Sequence, residues 1–168
     1  MSALVRHPVT TLRRMPGRMW LVGLALACLP GCGGGDEISS PCDLADAEMV
    51  GSVFGGTVAE GVEGEYFNCD FEIEGGPVLS VTVFDYGNVE GWDSTRQGFV
   101  DNRGGVTDVE GLGDEAFFPN DTGARELVVQ SGGQIFSVTI FSGLDEPTAE
   151  AIKGIADLSK SIAERLRT

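Results

Sequence analysis

"GGPVLSVTVF", residues 75–84, returns fifty-seven residues later as "GGQIFSVTIF", residues 132–141. Six of the ten positions are identical, and the other four are mostly exchanges between apolar residues. Val, Thr, Ile and Phe alternating behind a Gly-Gly turn read as an amphipathic strand. The same strand written twice predicts a duplicated strand-hairpin-helix unit within one domain. Alternation sends Leu79, Val81 and Val83 of the first copy, and Phe136, Val138 and Ile140 of the second, toward a core. The opposite face carries Val78, Ser80, Thr82 and Phe84 in one copy and Ile135, Ser137, Thr139 and Phe141 in the other. If the two strands are neighbours, this face is a patch of hydroxyls flanked by aromatics, a candidate contact surface. A helix laid over it is the plainer expectation.

Working outward, Tyr66–Ile73 alternates in the same way. Phe67, Cys69, Phe71 and Ile73 point in, and Asn68, Asp70 and Glu72 point to water. Glu74–Pro77 turns the chain, and Thr57–Val62 is a weaker strand. Asp46 caps a helix running through Val53 and Phe54 and ended by Gly55-Gly56. A second helix is expected over 89–100. The pattern then restarts: "VEG" at 62–64 returns at 109–111, and "EYF" at 65–67 is echoed by "EAFF" at 115–118. Leu127–Val129 and Ile135–Phe141 form the second hairpin. Leu127 and Val129 fall out of step with Phe71 and Ile73, so a bulge or an altered loop has to separate the copies. A last helix opens at Asp145 or Glu146 with Pro147 and carries Ile152, Ile155, Ser159, Ile162 and Leu166 at helical spacing. The expected fold is α+β, a mostly antiparallel sheet packed with helices in the order α-βββ-α-βββ-α.

The 168 residues fit one domain after a leader. Arg6, Arg13, Arg14 and Arg18 precede the apolar run "MWLVGLALACL" at 19–29, which is too short to span a bilayer as a helix. A basic head and a short apolar core make an export signal. "LPGC" at 29–32 resembles the lipobox of bacterial lipoproteins, which implies a lipid on Cys32 and cleavage before it, with Cys28 in "ALAC" as the rival attachment point. Residues 1–31 are thus read as signal peptide, 32–41 as lipidated cysteine and Gly/Ser tether, and 42–168 as one extracytoplasmic domain held at the outer face of the membrane.

Cleavage would leave 7 bases against 26 acids, a formal charge of −19. Such a surface repels phosphate backbones, which argues against a nucleic-acid partner. It also removes His7, the chain's single histidine. With it go the usual general base, the Ser-His and Cys-His pairs and the common zinc ligand. With Cys32 lipidated, Cys42 and Cys69 are left to pair in an oxidising compartment. Asp70, Glu72 and Glu74 project at two-residue steps, as calcium ligands do, but no stretch has EF-hand spacing and they read as a solvated face. No metal or cofactor is expected. An acid pair of the glycosidase kind needs no histidine, yet nothing singles out two acids among 26.

The lipobox, the tether, "PCDL" at 41–44, the inward Cys69 and "VEGLGDEAFF" at 109–118 together resemble actinobacterial lipoproteins of the domain-of-unknown-function kind. These are grouped with the extracellular sensor domains of mycobacterial receptor kinases. The resemblance implies a Cys42–Cys69 bridge, a compact PsbP-like α/β sandwich and no catalytic residues. The sequence thus points to a non-enzymatic cell-envelope module that binds, senses or assists, with an envelope ligand or protein as partner. The alternatives are a carboxylate hydrolase and a purely structural component.

Overall fold

A computed structural model describes residues 38–143 and 146–168. Cys28, Cys32, the leader and most of the tether lie outside the described residues. Two hairpins form the centre of the sheet. The first joins β3 (Asn68–Glu74) to β4 (Ser80–Asn88), and the second joins β7 (Glu126–Ser131) to β8 (Gln134–Phe141). The repeated strands β4 and β8 lie side by side and antiparallel, with Thr82 opposite Thr139. Ser80 faces Phe141, and Phe84 faces Ser137, so each copy's serine meets the other copy's phenylalanine. The repeat in the sequence is therefore a local two-fold relation in space, centred on the two threonines.

Shorter strands complete the sheet: β1 (Thr57–Val58), β2 (Val62–Glu63), β5 (Val106–Asp108) and β6 (Glu115–Pro119). The order is β1-β3-β4-β8-β7-β6-β5, with β2 also paired to β3, and every pairing is antiparallel. Each half of the chain builds one side of the sheet. The fold is α+β, as the pattern predicts, but each half has four strands and not three. The weak run at 57–62 breaks into β1 and β2 around Ala59–Gly61, and β5 is an addition the pattern did not reveal. "EYF" and "EAFF" are not structural equivalents, because the first lies in the turn before β3 and the second is strand β6.

The phase mismatch between the copies lies in the hairpins. Ser80 pairs with Glu72, while its counterpart Ser137 pairs with Val128, which leaves one more residue between the partners in the second hairpin. Ser131 pairs with Gln134 across the two-residue turn Gly132-Gly133, both at positive φ (58° and 87°), the geometry that glycines supply to tight hairpins. The first hairpin turns more widely, and that bend overturns one expectation. Leu79 is exposed, and Val78 takes the buried place instead, because strand phase does not carry back through residues 75–79. Phe67 likewise points to solvent and not inward. Its φ of 56° breaks the strand just before β3 begins.

Helices cover the two faces unequally. α1 (Ala47–Phe54) starts at Asp46, whose Oδ1 accepts from the Met49 N–H at 2.8 Å, and closes at Gly55. α3 (Ala149–Arg165) is capped by Thr148, past the expected opening at Glu146 (Asp145 lies outside the described residues): the Thr148 hydroxyl accepts from the Ala151 N–H at 3.2 Å. α1 and α3 bury Val50, Phe54, Ile155, Leu158 and Ile162 against Phe71, Val81, Val83, Leu127, Phe136 and Val138 on the inner face. Each fully buried side chain of this size contributes roughly 1.5–3 kcal/mol. α2 (Trp92–Asn102) follows β4 after a single 3-10 turn and lies on the outer face. There Trp92 and Phe99 pack on Phe117, Val128 and Ile135 in a second, smaller core. The two-fold relation therefore holds for the repeated strands β4 and β8 and fails for the helices that follow them. Among the described residues, no helix is long and apolar enough to cross a membrane.

Candidate binding face

α2 covers the outer face over β5–β7, the start of β8 at Ile135 and the end of β4 at Tyr86. Among the described residues, no helix lies on that face over β3, the first part of β4 and the end of β8. A polar row crosses it, fixed by register: Asp70 opposite Thr82, Thr82 opposite Thr139, Thr139 opposite Glu126. The row reads acid, hydroxyl, hydroxyl, acid, and the local two-fold relation exchanges its ends. The Thr82 hydroxyl donates to Asp70 Oδ1 at 2.6 Å, and Asn68 Nδ2 donates to Asp70 Oδ2 at 2.9 Å. The Thr139 hydroxyl is buried and finds no hydrogen-bond partner among the described residues.

The six residues proposed from the sequence for this face divide. Ser80, Thr82 and Phe84 are half-buried on β4, Thr139 is half-buried on β8, and Phe141 is exposed. They do form one surface, because β4 and β8 are neighbours. Ser137 is wholly buried and leaves the set. Its hydroxyl donates to Glu126 Oε1 at 3.4 Å. The covering helix anticipated from the sequence lies over one part of the face, and the hydroxyls and aromatics of β4 and β8 are neighbours on the other.

Glu126 is the residue that sequence reasoning missed. The Tyr86 hydroxyl donates to its Oε1 at 3.3 Å, and the Arg103 guanidinium sits 3.5 Å from its Oε2. Arg103 also donates to Asp121 at 2.6 Å and lies over the Phe99 ring, 5.6 Å from its centre. Burial pushes the Glu126 carboxyl above the usual carboxylate range, against the opposing pull of Arg103 and the two hydroxyls. Burial, reinforced by the Glu126 charge, pushes the Tyr86 phenol up to about 12. Glu126 is thus a latch that fastens the C-terminal end of α2 to the sheet. No local motif announces it. Its equivalence to Asp70 appears only once the hairpin register is known.

Cys42 and Cys69 form the expected disulfide, with Cα atoms 5.0 Å apart. It ties the 3-10 turn at Pro41–Asp43 to the buried side of β3. A separate open cleft of about 410 Å³ lies between the start of α2 and the β5–β6 loop. Asp93, Glu110 and Asp114 line it, Arg96 is paired to Asp108 at 2.7 Å, and Trp92 Nε1 donates to Glu115 at 2.9 Å. Among the described residues, no group of His, Cys, Asp or Glu is arranged to hold a metal ion. No protein-family model, curated protein or solved structure matches the chain.

Proposed function

We propose that the protein is an exported, lipid-anchored module of the cell envelope that binds a partner and catalyses no reaction. The helix-free half of the outer face is its recognition surface. One observation carries this reading: α2 meets β4 only near its end, through Phe99 on Tyr86, and among the described residues no helix lies over Ser80, Thr82, Phe84 and Phe141, which stand beside an acid-hydroxyl row on the sheet. A site on strands holds its geometry better than one on loops. The lipobox and basic leader support export and anchoring through Cys32. The absence of histidine after residue 7 and the engagement of Glu126 with Arg103, Tyr86 and Ser137 support binding over acid-base chemistry.

Hydroxyl-radical footprinting tests the reading. The full-length protein is oxidised in intact cells and, separately, after purification in detergent. Phe84 and Phe141 are expected to be protected in cells relative to the purified protein. Equal oxidation in both settings would refute the recognition surface. Labelled palmitate should enter the wild-type chain and not Cys32→Ala; label retained in that variant would place the anchor elsewhere.

A further inference from the structure

The turn from β2 to β3 holds an arrangement that stability does not explain. Tyr66 is 78% exposed, Phe67 75% and Val62, at the edge of the same hairpin, 67%. Adjacent aromatic rings in water are unfavourable for an isolated domain, and exposed apolar clusters mark contact sites. The turn is also pinned. The Gly64 N–H donates to the Asn68 carbonyl at 2.8 Å, and the Tyr66 N–H donates to Asn68 Oδ1 at 3.2 Å. The Asp85 N–H on β4 donates to the Phe67 carbonyl at 2.9 Å. Asn68 is itself buried and anchored to Asp70. Phe67 adopts φ = 56°, a left-handed conformation that aromatic residues seldom take. Asn or Gly would meet this backbone at less strain, so the ring at position 67 is costly to the fold and is held outward.

The surroundings of these rings carry one sign of charge. Glu60, Glu63, Glu65, Asp70, Glu72 and Glu74 lie within fifteen residues of sequence, and no Lys or Arg occurs between Arg18 and Arg96. All seven bases of the domain lie at Arg96 or beyond it in the chain. A second copy of the chain would bring acid against acid, and an anionic lipid surface or a nucleic acid would be repelled. A partner has to supply an apolar seat for two rings and positive charge around it.

We infer that the Tyr66–Phe67 turn is a preformed anchor for a basic protein segment, with the two rings entering an apolar seat on the partner and Lys or Arg side chains meeting the carboxylates of β2 and β3. The two rings are separate from the side chains of the Ser80–Phe141 face, and among the carboxylates Asp70 borders both contacts. Two buried aromatic anchors with a charged rim is the usual division of labour in a protein interface, the rings supplying affinity and the charges on-rate and selectivity.

A synthetic peptide alternating Lys with Leu is the probe, a Glu/Leu peptide is its control, and amide shifts of the full chain in detergent micelles are the readout. The Lys/Leu peptide is expected to shift amides of residues 62–70 and to lose about tenfold or more in affinity against Tyr66→Ser and against Phe67→Asn. Phe67→Asn should also keep or raise the melting temperature, since asparagine tolerates the left-handed backbone. Equal affinity for the wild-type chain and both variants would reduce the effect to diffuse charge attraction and overturn the inference. A melting temperature lowered by Phe67→Asn would make the ring structural and overturn it as well. So would a preference of the rings for neutral phosphatidylcholine vesicles over the basic peptide. Shifts confined to Ser80, Thr82 and Phe141 would support the outer-face reading and reject this one.

Discussion

Thr82 stands directly opposite Thr139 at the centre of the sheet, and each threonine has an acid on its far side: Asp70 beside Thr82, Glu126 beside Thr139. The two halves then diverge. Thr82 donates to Asp70 at 2.6 Å on the open face, while the buried Thr139 hydroxyl donates to nothing among the described residues, because Glu126 is taken by Tyr86, Ser137 and Arg103. Two substitutions of one kind should therefore differ. Thr82→Val loses a hydrogen bond to a carboxylate and should cost about 1 kcal/mol. Thr139→Val removes a buried hydroxyl that has no partner and should be neutral or stabilising by up to about 1 kcal/mol. Urea midpoints of the two variants provide the check, and an equal loss in both would contradict the asymmetry.

α1 and α3 touch where Phe54 lies on Gly154. A β-carbon at Gly154 would meet the Phe54 ring at 2.5 Å, so Gly154→Ala has to displace a core side chain. Overpacking of this kind costs roughly 1–3 kcal/mol, more than the gain of about 1 kcal/mol from removing a helical glycine. Gly51 in α1 is the internal comparison, since its added methyl would meet only Val58 at 3.4 Å. Thermal melts should show Gly51→Ala unchanged or raised and Gly154→Ala lowered.

What the sequence revealed and what it hid follow from the range of the forces involved. The repeat at 75–84 and 132–141 was legible because both copies face one core, so the same apolar positions were selected twice. The α1 cap at Asp46 and the helical stripe of α3 are local and were read correctly. Leu79 and Phe67 were misread because alternation holds only while the backbone stays extended, and a bend and a positive φ interrupt it at those two places. Two-residue strands such as β1 exist only by pairing with β3, which no local pattern encodes. The acid-threonine row is the most informative omission. Asp70 and Glu126 stand at different distances along the chain from their threonines, and only the hairpin register makes them equivalent.

Cys42 and Cys69 are separated by 27 positions, and the bridge closes the segment that contains α1, β1 and β2. In the chain-entropy account a loop of this length contributes roughly 3–4 kcal/mol by constraining the unfolded chain. Cys42→Ala/Cys69→Ala should lose about that much in denaturant titration. Cys69 is fully buried, and the backbone at Gly61 lies against its sulfur. Thiol reductants should therefore leave the native bridge intact and cut it readily once urea unfolds the chain. Mass-shift labelling of new thiols across a urea series would show this, and rapid labelling in the absence of urea would contradict it.

Tyr86 keeps two-fifths of its surface in water, yet its hydroxyl turns in onto Glu126 at 3.3 Å. Burial, and then the Glu126 charge, hold its proton up to about 12, from an ordinary value of 10. Between those limits the folded chain keeps a proton that the unfolded chain has released. Stability from this group is therefore complete below about pH 10 and falls as pH rises toward 12. Ionisation in the folded state would set a phenolate against the Glu126 carboxylate, leaving Arg103 to face both. Tyr86→Phe removes the titrating group, although it leaves Glu126 with only Ser137 and Arg103 as partners. The variant should be somewhat less stable at neutral pH, and the gap should narrow as pH rises from 10 to 12. Unfolding free energies of both proteins across that interval test the sign, and the tyrosinate absorbance should lose its latest-titrating component in the variant. Parallel curves, or an unchanged tyrosinate titration, would place the Tyr86 hydroxyl in water and undo the latch it forms with Glu126.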